Sequence, residues 1–331
     1  MERYDGTEYL SGFISSKMKL KGGKWILAFA GAIIAVLLFR TFVFGSFLIP
    51  SSGMENALYQ GDHILVNKWS YGLRMPFMQW FSYHRILEKP IAVGDFVVFN
   101  NPAQPQEKVW SNRKVFINRC VGIPGDTLLL DSFFHPIRTS QGVIPDEKLL
   151  YTYPPEKENA MDSLISVLSI APNKLLGQSK KMHVRSFSRY EYYLLGQAIS
   201  GTNWVRPLAS NEDSHQLTYR LPIPRKGSVI KVTRWNAVLL RNTLVLHEGK
   251  QVDIKGDTLY INGKPTQHCY FTKDYYWMAS NNSINLEDSR MFGFVPKDHV
   301  IGKASFIWFS KEKGKGLFKG YRWNRIFSAV R

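Results

Sequence analysis

The chain has 331 residues, 44% apolar and 14% aromatic, which is enough to bury the core of one large or two ordinary domains and excludes wholesale disorder. Its formal charge of +17 calls for an anionic neighbour or a well-solvated surface. No zinc-type cysteine pattern and no nucleic-acid-binding motif accompanies that charge, so lipid headgroups rather than nucleic acid are the expected partner, and no metal or cofactor is expected.

Residues 1–24 are mostly polar and end in a cluster of Lys17, Lys19, Lys21 and Lys24. The stretch "WILAFAGAIIAVLLFRTFVFGSFLI" follows, beginning at Trp25. Its uncharged part, Trp25 to Phe39, is shorter than the roughly 20 residues a bilayer span needs. Continuing through Arg40 to Phe47 supplies the length. At 1.5 Å per residue Arg40 falls roughly 24 Å beyond Lys24, where its side chain can snorkel to the interface. One transmembrane helix is therefore expected over residues 25–47. The apolar run leads into Arg-Thr-Phe-Val-Phe rather than a small-residue cleavage site, which favours a permanent anchor over a removed signal. The lysines place residues 1–24 in the cytoplasm and everything after Pro50 outside it, which in a bacterium means the inner membrane and the periplasm.

Beyond the anchor, "DHILVNKWSYGL", "GDFVVFNN", "KVFINRCVGIPGDTLLL", "SVIKVT", "AVLLRNTLVL", "DTLYINGK" and "KASFIWFS" are short β-branched and aromatic runs. Turn residues bound them, so the spacing predicts a mainly β domain of antiparallel strands over residues 48–130 and 225–331. The Asn262-Gly263 pair predicts a hairpin turn. Between residues 131 and 224 the pattern is less regular. There "ENAMDSLISVL" and "SRYEYYLLGQAI" read as helices, the second opened by a capping box of Ser188 and Glu191. This stretch is expected to be an inserted α/β cap subdomain. The tail "SKEKGKGLFKGYRWNRIFSAVR" interleaves basic and aromatic residues, a pattern suited to a membrane surface or to an exposed terminal strand. Two cysteines, Cys120 and Cys269, allow at most one disulfide and are expected as free, partly buried thiols.

Five separated segments resemble those of type I signal peptidases, the serine endopeptidases that remove signal peptides from exported proteins. They are "FRTFVFGSFLIPSSGMENAL", "GDHILVNKWSYG", "GDFVVF", "INRCVGIPGD" and "NNSINLEDSRMFGFVPKDHVIGKA", in the family's order. The "LYINGK", "DYYWM" and "RWNR" segments are most similar to Bacteroidetes-type members. The resemblance implies a signal-peptidase-like antiparallel β domain behind the anchor. It also implies a serine nucleophile, a lysine base kept neutral by apolar surroundings, and a second serine that orients the amine.

At all three positions this chain carries another residue. The family nucleophile falls on Gly53, which has no side chain, and the base on Asn118, whose amide has no basic nitrogen. The orienting serine falls on Leu286. Ser51 matches the family's oxyanion-hole serine. Met54, Arg119, Asp288, Ser289 and Arg290 match residues that line or brace the groove, as turn chemistry or a surface ion pair could also explain. Ser52 is the fallback nucleophile, yet adjacent side chains of an extended segment point to opposite faces, so Ser52 is expected to aim away from the groove. As bases for it, Lys114 lies about 13 Å from Asn118 along a strand, Lys108 is no better placed, and His63 and His299 are isolated histidines. The expectation is a membrane-anchored signal peptidase homologue without proteolytic activity. It would serve export or envelope assembly by binding signal peptides and other extended segments, or as a complex subunit. The alternative is an active signal peptidase with a rearranged nucleophile such as Ser52.

Overall fold

The computed structural model describes residues 8–75, 83–104, 107, 112–131, 134–138, 147–170, 173–199, 204–208, 218–256, 258–282 and 287–330. It divides into two units, residues 1–45 and 46–331. The first unit is built on one helix, Glu8–Phe42, with Arg40 in its last turn, where a cation complements the helix dipole. The 19 residues Lys24–Phe42 are long and apolar enough to cross a membrane. The helix stops five residues short of the expected Phe47, because Phe44–Leu48 is a strand. The β-branched and aromatic run Thr41-Phe42-Val43-Phe44, closed by Gly45, favours extended backbone over helix.

In the second unit an eight-stranded sheet carries the expected β domain. Its order is Phe44–Leu48, Asp62–Asn67, Val300–Ser310, Phe96–Asn100, Val115–Gly122, Tyr275–Ala279 and Val295–Pro296, with Ser328–Ala329 paired to Val300–Ser310. The pairings of Asp62–Asn67, Phe96–Asn100 and Val115–Gly122 with their neighbours are antiparallel. In Asp62–Asn67 the buried Asp62, Ile64 and Val66 alternate with half-buried His63, Leu65 and Asn67, the period-two signature of a sheet with one covered face. Phe96–Asn100 is buried throughout, as its central place requires. Gly302 allows that close pairing, because a Cβ there would lie 2.5 Å from the Asn67 carbonyl oxygen. Gly61 has φ +93°, and its missing Cβ would sit 1.9 Å from the Lys311 oxygen, so no other residue fits.

Most expected strands form. The hairpin turn has φ +51° at Asn262 and +79° at Gly263, the two positive values of a type I′ turn. One segment differs: "AVLLRNTLVL" is the helix Ala237–His247, not a strand. Its buried positions, Ala237, Leu240, Thr243, Leu244 and His247, recur at helical spacing, and Ala and Leu are strong helix formers.

The inserted stretch has its own four-stranded sheet, ordered Gly177–Gln178, His183–Phe187, Leu149–Tyr153, Arg206–Pro207. Helices Glu158–Val167 and Arg189–Ala198 accompany it, over a core of Tyr151, Tyr153, Met161, Phe187 and Leu195. The capping box of Ser188 and Glu191 is formed. The separate core covers less than residues 131–224. Strand Tyr219–Pro222 pairs with Thr127–Leu130, and Leu221 and Ile223 lie in the main core with Leu128, Leu130 and Trp277. Cys120 and Cys269 are free and fully buried.

Candidate active-site cleft

Residues 50–61 leave the strand Phe44–Leu48 as a loop laid over the cluster Ile49, Met54, Ala57, Leu58, Ile64, Val66, Phe96 and Val98. Burial of Met54 and Leu58 at 2% and 0% exposure contributes roughly 1.5–3 kcal/mol each and anchors the loop that carries Gly53. From the other side the Asn282 amide N–H donates to the Gly53 oxygen at 3.0 Å. Gly53 is not among the glycines with positive φ, so its backbone conformation does not itself demand glycine.

Asn118 lies on Val115–Gly122, opposite Val97, and is 2% exposed. Gly53 and Asn118 line one narrow cleft of about 40 Å³, together with Ser51, Met54, Ile117, Ser280 and Glu287. The structure thus brings these two positions to one cleft. Asn118 Oδ1 is buried with no hydrogen-bond partner, and an amide there cannot take a proton from a hydroxyl. Among the described residues the one amine on the cleft wall is Lys114, whose Nζ is paired with Glu287 while about half its side chain is exposed. This paired, half-exposed setting is the reverse of the dry, unpaired one in which a lysine serves as a base.

Ser52 faces elsewhere. Ser51 borders both the cleft and a second cavity of about 310 Å³, whereas Ser52 lines only the second, with Glu55, Tyr59, Lys174, Lys313 and Arg322. Residues 51–57 form bends and turns rather than an extended segment, so the turn, not strand alternation, sets the direction of Ser52. Neither histidine reaches the cleft. His63 packs against Trp308 and Phe309. His299 is buried, with Nδ1 2.8 Å from Asp298 Oδ1 and Nε2 2.8 Å from Arg113 Nη1. Lys108 and Leu286 lie outside the described residues.

The bracing residues converge beside the cleft. Asp288, with no exposed surface, accepts from the Ser280 N–H and hydroxyl, both at 2.8 Å, and from Arg290 Nη2 at 2.6 Å. Arg290 also donates to Glu147 at 2.7 Å. Burial works against the Arg290 charge, yet the Asp288 carboxylate raises its pKa overall. Ser289 Oγ accepts from the Met278 N–H at 2.9 Å. Arg119 donates to Asn281 Oδ1 at 3.2 Å and lies 4.5 Å over the Phe96 ring.

Sequence reading missed Lys148, a fully buried lysine whose Nζ lies 3.9 Å from both Glu55 and Glu191. Its backbone N–H donates to the Asn281 oxygen at 2.6 Å, and the next backbone N–H, of Asn282, donates to Gly53. No motif flags it, because its neighbours are distant in sequence.

A family model described as "Signal peptidase, peptidase S26" matches residues 23–132 and 270–309. The chain is similar to signal peptidase I of Buchnera aphidicola subsp. Schizaphis graminum, at 29% identity over 88% of this chain and 76% of that one. Signal peptidase I of Aquifex aeolicus is 27% identical over 84% of this chain and 80% of its own. For signal peptidase I of Haemophilus influenzae the identity is 25%, over 90% and 73%.

Proposed function

We propose that the chain is a member of the type I signal peptidase family that binds without cleaving. One observation carries this reading: Gly53 and Asn118 face the same cleft, so the positions of nucleophile and base hold an absent side chain and a non-basic amide. A serine attack needs a hydroxyl and a proton acceptor within about 3.2 Å of each other, and among the described residues neither Ser51 nor Ser52 has a hydrogen bond to a lysine or histidine. Met54 lines the cleft, and Asp288, bonded to Arg290, accepts from Ser280 on the cleft wall. This supports a role in export or envelope assembly, through capture of signal peptides or other extended segments by strand addition or as a subunit of a complex. The anchor is proposed to run N-in across the inner membrane, with residues after Pro50 in the periplasm. Leu317, Phe318, Trp323 and Phe327 are exposed among basic residues, which supports contact of the tail with anionic lipid.

A cleavage assay tests the reading. Purified full-length protein should leave intact a preprotein that an active signal peptidase processes, and Ser52→Ala should change nothing. Gly53→Ser alone should remain inert, because a serine without a neutral amine is a weak nucleophile. Gly53→Ser combined with Asn118→Lys should yield at most a trace. Cleavage by the unaltered protein that Ser52→Ala abolishes would establish the alternative, a rearranged nucleophile.

A further inference from the structure

The cavity on the reverse side of the serine loop is larger than the cleft itself and chemically unlike it. Its volume of about 310 Å³ is at the lower end of the range for small-ligand sites, which favour junctions between substructures. Three parts of the chain meet there: the loop with Ser51 and Ser52, the inserted subdomain with Lys174 and Ser186, and the tail with Glu312, Lys313 and Arg322.

The charges are unevenly committed. Arg322 donates to the Gln60 oxygen at 3.1 Å and lies 3.7 Å from Asp62, and Glu55 lies 3.9 Å from Lys148. Lys174 and Lys313 have no ion-pair partner within 4 Å among the described residues, although Lys174 is near enough to act on the Glu55 carboxylate, and the hydroxyls of Ser51 and Ser52 have no hydrogen-bond partner among them. Glu55 and Glu312 are the carboxylates on the described wall, against Lys174, Lys313 and Arg322. Two ammonium groups outside any close ion pair, two hydroxyls without partners and a nearby guanidinium form a set of donors around one space. An oxyanion with several acceptor oxygens and more than one negative charge uses such a set best.

We propose that this cavity binds a phosphate group, held by Lys174, Lys313, Ser51 and Ser52, either free or as the headgroup of an anionic lipid. The proposal does not depend on the catalytic competence of the cleft, because Lys174, Lys313 and Ser52 stand on the cavity wall alone and only Ser51 borders both spaces.

Thermal unfolding of the full-length protein in maltoside micelles provides the test, because a ligand that binds only the folded state raises Tm in proportion to its occupancy. Inorganic phosphate should raise Tm saturably, and acetate or chloride at matched ionic strength should not. The double variant Lys174→Gln, Lys313→Gln should shift the half-saturating phosphate concentration at least tenfold upward. The single charge reversal Lys174→Glu, at an exposed position, should do likewise if the double variant fails to fold. No response to phosphate, with a saturable rise on adding phosphatidylglycerol that these variants lose, would support the site and assign its phosphate to lipid. A response to neither, or one that the variants leave unchanged, would overturn the proposal.

Discussion

Asp62 carries no exposed surface, yet it gathers the Tyr59 N–H at 2.8 Å, the Ser310 hydroxyl at 2.6 Å and Arg325 Nη2 at 2.7 Å. A buried carboxylate so surrounded is stable only while its partners stay, and removing one member of a buried pair costs about 3–5 kcal/mol. Arg325→Ala should therefore lower unfolding stability by an amount of that order in denaturant titration, although it stands in a tail that reads as surface. The sequence displays Gly61-Asp62 as turn chemistry and Arg325 as one of many basic residues, because nothing local couples positions so far apart. His247 presents a second residue-scale case. Burial, reinforced by the neighbouring His299, depresses its pKa to about 3 from an ordinary 6.5. The unfolded chain takes up this proton near pH 6.5 and the folded one only near 3, so the contribution is full above pH 6.5 and is lost as pH falls towards 3. At pH 5 the loss amounts to about 2 kcal/mol. Asp298 adds to the acid sensitivity lower down: against the opposing effect of burial, its hydrogen bond with His299 holds its carboxyl below the usual range. Urea titrations at pH 7.5 and pH 5 should differ by at least the His247 amount, and His247→Asn should shrink the difference.

Among the elements, the helix Arg189–Ala198 was fully legible, since its signal is local. Ser188 accepts the Glu191 N–H at 3.1 Å, and Glu191 returns a bond to the Ser188 N–H at 2.7 Å. Ser188→Ala should cost about 1 kcal/mol, and amide exchange should quicken first within residues 189–198 if the cap matters locally. The helix Ala237–His247 was misread because an apolar run with Val and Thr fits strand and helix alike, and only the spacing of its buried positions separates them. Strand positions were legible, but their pairing was not. Register shifts between Leu65 and Val66, and between Trp277 and Met278, arise from contacts between distant strands. The candidate site divides the same way. The substitutions at Gly53 and Asn118 are visible in the sequence once the family's motifs are recognised. The Lys114–Glu287 pair and the buried Lys148 depend on how the chain folds back.

At the scale of the whole molecule, the sequence separates an apolar anchor from a β domain with an insertion, and both parts form. Tyr219–Pro222 looks irregular in sequence and becomes a strand by pairing with Thr127–Leu130. What the chain does as a whole depends on which side of the membrane this domain occupies. The proposed orientation rests on Lys17, Lys19, Lys21 and Lys24 preceding the span, while Arg40 is the one charge at its other end. Positive charge close to a span is retained on the cytoplasmic side far more readily than it is translocated, so four lysines against one arginine support the proposed direction. Protease added outside intact spheroplasts should then digest the chain beyond Pro50 and leave a fragment containing the helix. Replacing the four lysines by glutamine and placing four lysines after Arg40 should turn a fraction of the molecules over and protect their β domain. Protection of that domain in the unaltered protein would place the cleft and the phosphate cavity in the cytoplasm, where they could meet neither exported segments nor the outer leaflet.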